Sequence, residues 1–101
     1  MRAQIRIYTI NRGEMDAFLK HFQEETMPIH EKVGWPIMAT FVNRPQNEFI
    51  WIRTYSDDAD RDAKAKAFQE AVRAAGITLG GNVAKIEVRE VDLVTARVPV
   101  A

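Results

Sequence analysis

The 101 residues carry 14 Lys plus Arg against 14 Asp plus Glu, no cysteine, and a hydrophobic fraction of 47%. That composition predicts one soluble globular domain over 1–101, and it excludes disulfide frameworks, thiolate metal sites and cysteine nucleophiles. The cancelled charge argues against a nucleic-acid partner, and with no run near the roughly 18 apolar residues of a membrane span and no secretory leader in Met1–Arg6, a cytoplasmic protein is expected.

The first element is a strand over 3–10, with Ile5, Ile7 and Thr9 on one side and Arg6, Tyr8 and Ile10 on the other. Asn11-Arg12-Gly13 breaks it. From Glu14 to Val33 the apolar residues Met15, Phe18, Leu19, Phe22, Ile29 and Val33 fall at helical spacing, and Gly34 ends the run. Pro28 lies inside this helix, removes a backbone donor and predicts a kink or a break into two pieces there. A second strand over 37–42 leads through the polar turn at 43–47 into a third over 48–55, rich in aromatic and β-branched residues. Ser56 is placed to cap the next helix, Asp57, Asp58 and Asp60 complement its positive end, and Ala63, Ala67, Phe68, Ala71, Val72 and Ala75 form its buried stripe up to Gly76. After a loop at 77–82, residues 83–94 alternate as the last strand, and the tail Ala96-Arg97-Val98-Pro99-Val100 is apolar enough to need a neighbour.

The order β-α-β-β-α-β predicts an α+β, ferredoxin-like fold: a four-stranded antiparallel sheet with both helices on one face. The first and third strands are adjacent in that topology, which gathers Arg6, Tyr8, Trp51, Arg53 and Tyr55. Ile5, Ile7, Ile50 and Ile52 form the continuous apolar row, so they are expected to face the helices. The Arg and aromatic residues, Phe49 among them, then face away. An open face of that kind is a large apolar patch, which predicts a homodimer closed sheet to sheet.

Arg6-Ile7-Tyr8-Thr9 followed by Gly13, Pro28-Ile29 with Lys32 and Gly34, and Trp51-Ile52-Arg53-Thr54-Tyr55 entering an acidic helix start together resemble the NIPSNAP family, within the dimeric α/β barrel superfamily. The likeness runs from about Ile5 to about Val72; the tail departs from the Pro-Phe-Ser segment common among such proteins. The resemblance implies a ferredoxin-like protomer and a sheet-to-sheet dimer. It implies no common activity, since related barrels include cofactor-free monooxygenases, lactone isomerases, polyketide cyclases, haem enzymes and stress-response proteins.

Two readings stand for each candidate residue. Arg6 and Arg53 clamp a carboxylate or enolate, or they pair with a dimer partner's carboxylates, with Glu48, Glu87 and Glu90 as the candidates. Tyr8 and Tyr55 exchange a proton with a substrate oxygen, or pack an interface; Trp51 stacks on an aromatic ligand, or anchors a dimer core. His30, at the edge of the helical stripe, is a general base or a histidine tied to a carbonyl or to water, and His21 falls on the opposite flank, too far round to share a metal with it unless the kink at Pro28 is severe. No cofactor and no metal site are expected. The predicted function is binding of a small anionic or aromatic ligand by Arg6, Tyr8, Trp51, Arg53, Tyr55 and His30, with His30, Tyr8 and Arg53 as catalytic candidates. The alternatives are a cofactor-independent monooxygenase, isomerase or cyclase, and an interaction module without chemistry.

Overall fold

A computed structural model describes residues 1–97, so the end of the tail, 98–101, lies outside the described residues. Four strands, β1 (Arg2–Ile10), β2 (Ile37–Asn43), β3 (Glu48–Tyr55) and β4 (Val83–Asp92), form one antiparallel sheet in the order β2-β3-β1-β4. The helices α1 (Met15–His21), α2 (Met27–Val33) and α3 (Asp58–Ala75) complete the ferredoxin-like arrangement. Among the described residues, no helix is long and apolar enough to cross a membrane.

The break in the long helix falls before Pro28. Residues Phe22–Thr26 form a π-helical turn joining α1 to α2, and Pro28 sits in the first turn of α2. A proline ring clashes with the carbonyl four residues earlier, here Glu24 in the middle of that turn, so widening the turn accommodates the ring without a sharp kink. Gly34 then stops α2 in a left-handed conformation, φ 72°, that a side chain would resist. The cap of α3 is Asp57, one residue beyond the expected Ser56: its carboxylate accepts from the Asp60 N–H at 2.8 Å, while Asp60 accepts from the Ser56 N–H at 2.9 Å. Strand β4 ends at Asp92, two residues earlier than the alternation predicts.

The main correction concerns the faces of the sheet. Gln4 pairs with Arg53, Arg6 with Trp51 and Tyr8 with Phe49 across β1 and β3, and directly opposed residues share a face. That face meets the helices: Phe49 packs on Phe18 and Phe22, Trp51 on Phe22 and His30, and Phe49, Trp51, Arg53 and Tyr55 are 1%, 2%, 6% and 3% exposed. Ile5, Ile7, Ile50 and Ile52 take the open face instead and are only partly buried. Aromatic volume decides the matter. Each large ring buries about 150–250 Å², more than an isoleucine offers, and the helices present Phe18 and Phe22 to meet it.

Candidate functional site

The helix-facing aromatic residues do not fill the space between helices and sheet. A cavity of about 450 Å³ remains there, its floor made by Gln4, Arg6 and Tyr8 of β1, Trp51 and Arg53 of β3, and Ile86 and Glu90 of β4. Its walls come from Phe18, His21, Phe22 and Thr26, from Trp35, and from Arg61, Ala65 and Phe68 of α3. Three arginines line the cavity, Arg6 and Arg53 on its floor among the aromatic rings and Arg61 in its wall.

Arg53 is fixed on every side. Its guanidinium carbon stands 3.7 Å from the Trp35 ring centroid and 4.7 Å from that of Trp51, a doubly stacked cation. Arg53 Nε donates to Gln4 Oε1 at 3.1 Å, Nη2 donates to the same oxygen, and Nη1 donates to His30 Nε2 at 3.2 Å. Arg6 Nη1 reaches Gln4 Oε1 as well, at 3.2 Å, and Arg6 Nε donates to the Tyr8 hydroxyl at 3.1 Å. A single neutral amide oxygen thus holds two cations together. Glu90, the nearest acidic group in this network, spends its oxygens on Gln4 Nε2 (2.8 Å) and on the Tyr55 hydroxyl. Among the described residues neither Arg6 nor Arg53 makes a salt bridge. Burial, and next the like charge of Arg6, push the Arg53 guanidinium down to about 9, still cationic at neutral pH.

His30, 1% exposed, lies behind Arg53. Its Nδ1 is 2.8 Å from the Thr26 carbonyl oxygen, which only accepts, and its Nε2 faces Arg53, which only donates. The ring is therefore the neutral Nδ1–H tautomer with both nitrogens engaged. Burial, reinforced by the charge of Arg53 against the opposing pull of the Thr26 carbonyl, lowers it to about 4. In this arrangement His30 orients Arg53 and has no lone pair to offer a substrate. Tyr55 also stands back from the cavity; burial, then its bond to Glu90, raises its phenol.

Arg6, Tyr8, Trp51 and Arg53 are thus brought together on the cavity floor, with His30 and Tyr55 supporting from behind. His21, which the spacing sets on the stripe's other flank, lines the cavity; its Nδ1 is paired with Glu25, and its Nε2 is shut off from solvent without a partner among the described residues. The indole N–H groups of Trp35 and Trp51 are likewise buried and unpartnered beside the same space. Gln4, the hub of the network, carries no sequence signal at all, since a strand glutamine is ordinarily solvated. Among the described residues no cluster of three or more metal-ligating side chains occurs.

The fold matches known structures over nearly its whole length. An uncharacterised NIPSNAP domain protein from Burkholderia xenovorans aligns over 98% of this chain and 99% of its own, at 19% identity and a TM-score of 0.74. A NIPSNAP family protein from Agrobacterium tumefaciens aligns over 97% and 96%, at 23% identity and a TM-score of 0.73. A putative antibiotic biosynthesis monooxygenase from Nitrosomonas europaea shares the fold at 11% identity, over 94% of this chain and 100% of its own, with a TM-score of 0.64. Comparison with curated proteins gave no match. The family model of NIPSNAP covers residues 3–78, which include the β1 and β3 segments bearing Arg6, Tyr8, Trp51 and Arg53, and the chain accordingly belongs to the NIPSNAP family.

Proposed function

We propose that this protein binds a small aromatic carboxylate in the cavity between helices and sheet. The observation that carries the reading is the pair of guanidinium groups, Arg6 and Arg53, gathered on Gln4 with no carboxylate bridged to either among the described residues. Buried charges are normally paired, so a partly enclosed pair of cations calls for an anion. Three of the five N–H groups of Arg53 are used by Gln4 and His30, leaving two for a ligand. The rings of Trp51, Tyr8, Phe18 and Phe22 favour an aromatic body, and a volume of about 450 Å³ falls within the roughly 300–1,000 Å³ of small-molecule sites.

Both tryptophans of the chain line the cavity, so intrinsic fluorescence reports occupancy directly. Titration with benzoate and hydroxybenzoates is expected to quench it saturably, and Arg53→Met to weaken binding by about 10- to 100-fold, the loss of a charged hydrogen bond of roughly 1.5–3 kcal/mol. Uncharged benzamides should bind poorly. Equal affinity for benzamide and benzoate would end the reading.

The same proposal includes a homodimer formed through the open sheet face, where Ile5, Ile7, Ile50 and Ile52 stand beside Phe41, 53% exposed. A cytoplasmic location suits the absence of cysteine. A second reading, a cofactor-independent monooxygenase, isomerase or cyclase, draws on the two guanidiniums as holders of a developing oxyanion. It needs a base in the cavity, and His30 is already engaged.

A further inference from the structure

Resting on the aromatic-carboxylate reading, we infer that Glu90 and Gln4 set the charge of the ligand: the cavity takes a monoanion and turns away a dianion of the same shape. Glu90 supplies, through the Gln4 amide, one of the two negative charges that Arg6 and Arg53 call for, and leaves a single charge for the ligand to supply.

The wiring follows from which groups donate and which accept. A guanidinium only donates and an ionised carboxylate only accepts, so the Gln4 amide has one workable orientation between them. Its Oε1 accepts from Arg6 Nη1 at 3.2 Å and from Arg53 Nε at 3.1 Å, and its Nε2 donates to Glu90 Oε1 at 2.8 Å. Turned over, the amide would set its N–H groups against two cations and its oxygen against a carboxylate. Gln4 is 7% exposed, and in such surroundings the bond its nitrogen donates strengthens those its oxygen accepts. The charge of Glu90 is therefore felt at both guanidiniums without a salt bridge to either. Burial and then Arg6 lower the Arg53 guanidinium, and Glu90 is one of the groups working against them.

The balance of charge in the cavity then leaves room for one anion. Among the described residues that line it, the arginines are Arg6, Arg53 and Arg61, and the one carboxylate is Glu90. Arg61 is already balanced from outside: its Nη2 is 3.1 Å from Asp62 and its Nη1 3.5 Å from Asp58, both closer than its 3.9 Å approach to Glu90. His21 is likewise committed to Glu25. Two cations and one anion remain on the floor, so one further negative charge completes the pairing and a second meets repulsion from Glu90. A fixed like charge of this kind gives selectivity by rejection. Against burial, which opposes ionisation, the bonds from Gln4 and Tyr55 hold the Glu90 carboxyl below its ordinary value, so its charge is in place at neutral pH.

The test compares isophthalate with its monoamide, 3-carbamoylbenzoate, two ligands of one shape that differ by one charge at neutral pH. Affinities are read from tryptophan fluorescence. Wild-type protein is expected to bind the monoamide about tenfold more tightly than the diacid, the scale of one like-charge repulsion beside a partly exposed carboxylate. That ratio should shrink in high salt, which a steric preference would not do. Glu90→Gln keeps an acceptor for Gln4 and removes only the charge; it should tighten both ligands, the diacid more, and bring the ratio to within about twofold. Equal binding of the two ligands by wild type would overturn the inference, as would tighter binding of the diacid, which would set its second carboxylate on Arg61. A wild-type ratio carried unchanged by Glu90→Gln would do the same. In each of these cases saturable binding of the monoamide leaves the carboxylate site standing. Absence of saturable quenching by benzoate and by both probes would remove that site, and the inference with it.

Discussion

The two faces of this sheet are built from alternate residues of the same strands, and they invert the usual pattern. On β1 and β3 the side turned to the helices carries Gln4, Arg6, Tyr8, Trp51 and Arg53, while the side left open carries Ile5, Ile7, Ile50 and Ile52. Ordinarily the aliphatic row is buried and the charged row is wet. Here the charged row is enclosed because its members are interleaved with rings large enough to make a core, and the guanidiniums stack on those rings. The aliphatic row lies on the open face, only partly buried in the protomer. An apolar alternation thus marks two distinct faces without showing which of them meets the helices.

The sharpest way to break this assignment of faces is a pair of neighbouring truncations. Trp51 is 2% exposed and packs on Phe22 and His30, so Trp51→Ala should cost about 3–5 kcal/mol in urea unfolding. Ile52, one residue on and facing the opposite way, is partly exposed in the protomer. Measured at protein concentrations low enough to populate monomer, Ile52→Ala should cost about 1 kcal/mol. Equal costs would mean that the faces are not distinguished as described.

Acid should attack one face only. The His30 imidazole lies at about 4 in the folded protein against an ordinary value near 6.5, so between those values the unfolded chain binds the extra proton. Stability therefore rises with pH across that window, is fully present above about 6.5, and is lost as the pH falls towards 4. At about 1.4 kcal/mol per unit the loss approaches 3 kcal/mol. His30→Gln should flatten this part of the pH profile. An unchanged slope in that variant would mean that another group carries the acid sensitivity.

Much of this organisation was legible in the sequence and the central part was misread, for identifiable reasons. Strand and helix positions follow from alternation and from the stripe of Phe18, Phe22, Phe68 and Val72, and the split βαβ order follows from them. The faces were misassigned because a run of isoleucines looks like a core row, and because arginine beside tryptophan is scored as polar although the stacked pair buries as one unit. On an uninterrupted α-helix the nine residues from His21 to His30 turn the chain about two and a half times and set the two rings on opposite sides, and the two histidines line different cavities. That His21 borders the larger one is not legible in the sequence, because spacing gives a side chain's direction and not the empty space beside it. The π-helical turn at Phe22–Thr26 was not foreseen either. Nothing local in the sequence announces such a turn except Pro28, and proline alone more often reads as a kink.

The smallest effect on folding should come from charging the open face, and it bears on what that face is for. Ile7 and Ile50 are directly opposed on β1 and β3, with Phe41 of β2 beside Ile50. Their Cβ atoms point away from the helices, so a glutamate at either position can reach solvent in an isolated protomer and should change its unfolding free energy by less than about 1 kcal/mol. In a sheet-to-sheet dimer the same glutamate would be desolvated twice, once from each copy, because a two-fold interface repeats every substitution. Removing a carboxylate from water without a partner costs several kcal/mol per ion. Ile7→Glu is thus expected to convert a dimer into a folded 11.5 kDa protomer in sedimentation or light scattering, with little change in far-ultraviolet dichroism. A variant that stays dimeric would place the interface elsewhere. One that unfolds would show that the isoleucine row is needed by the protomer itself, and the division between a ligand-holding face and an associating face would no longer stand.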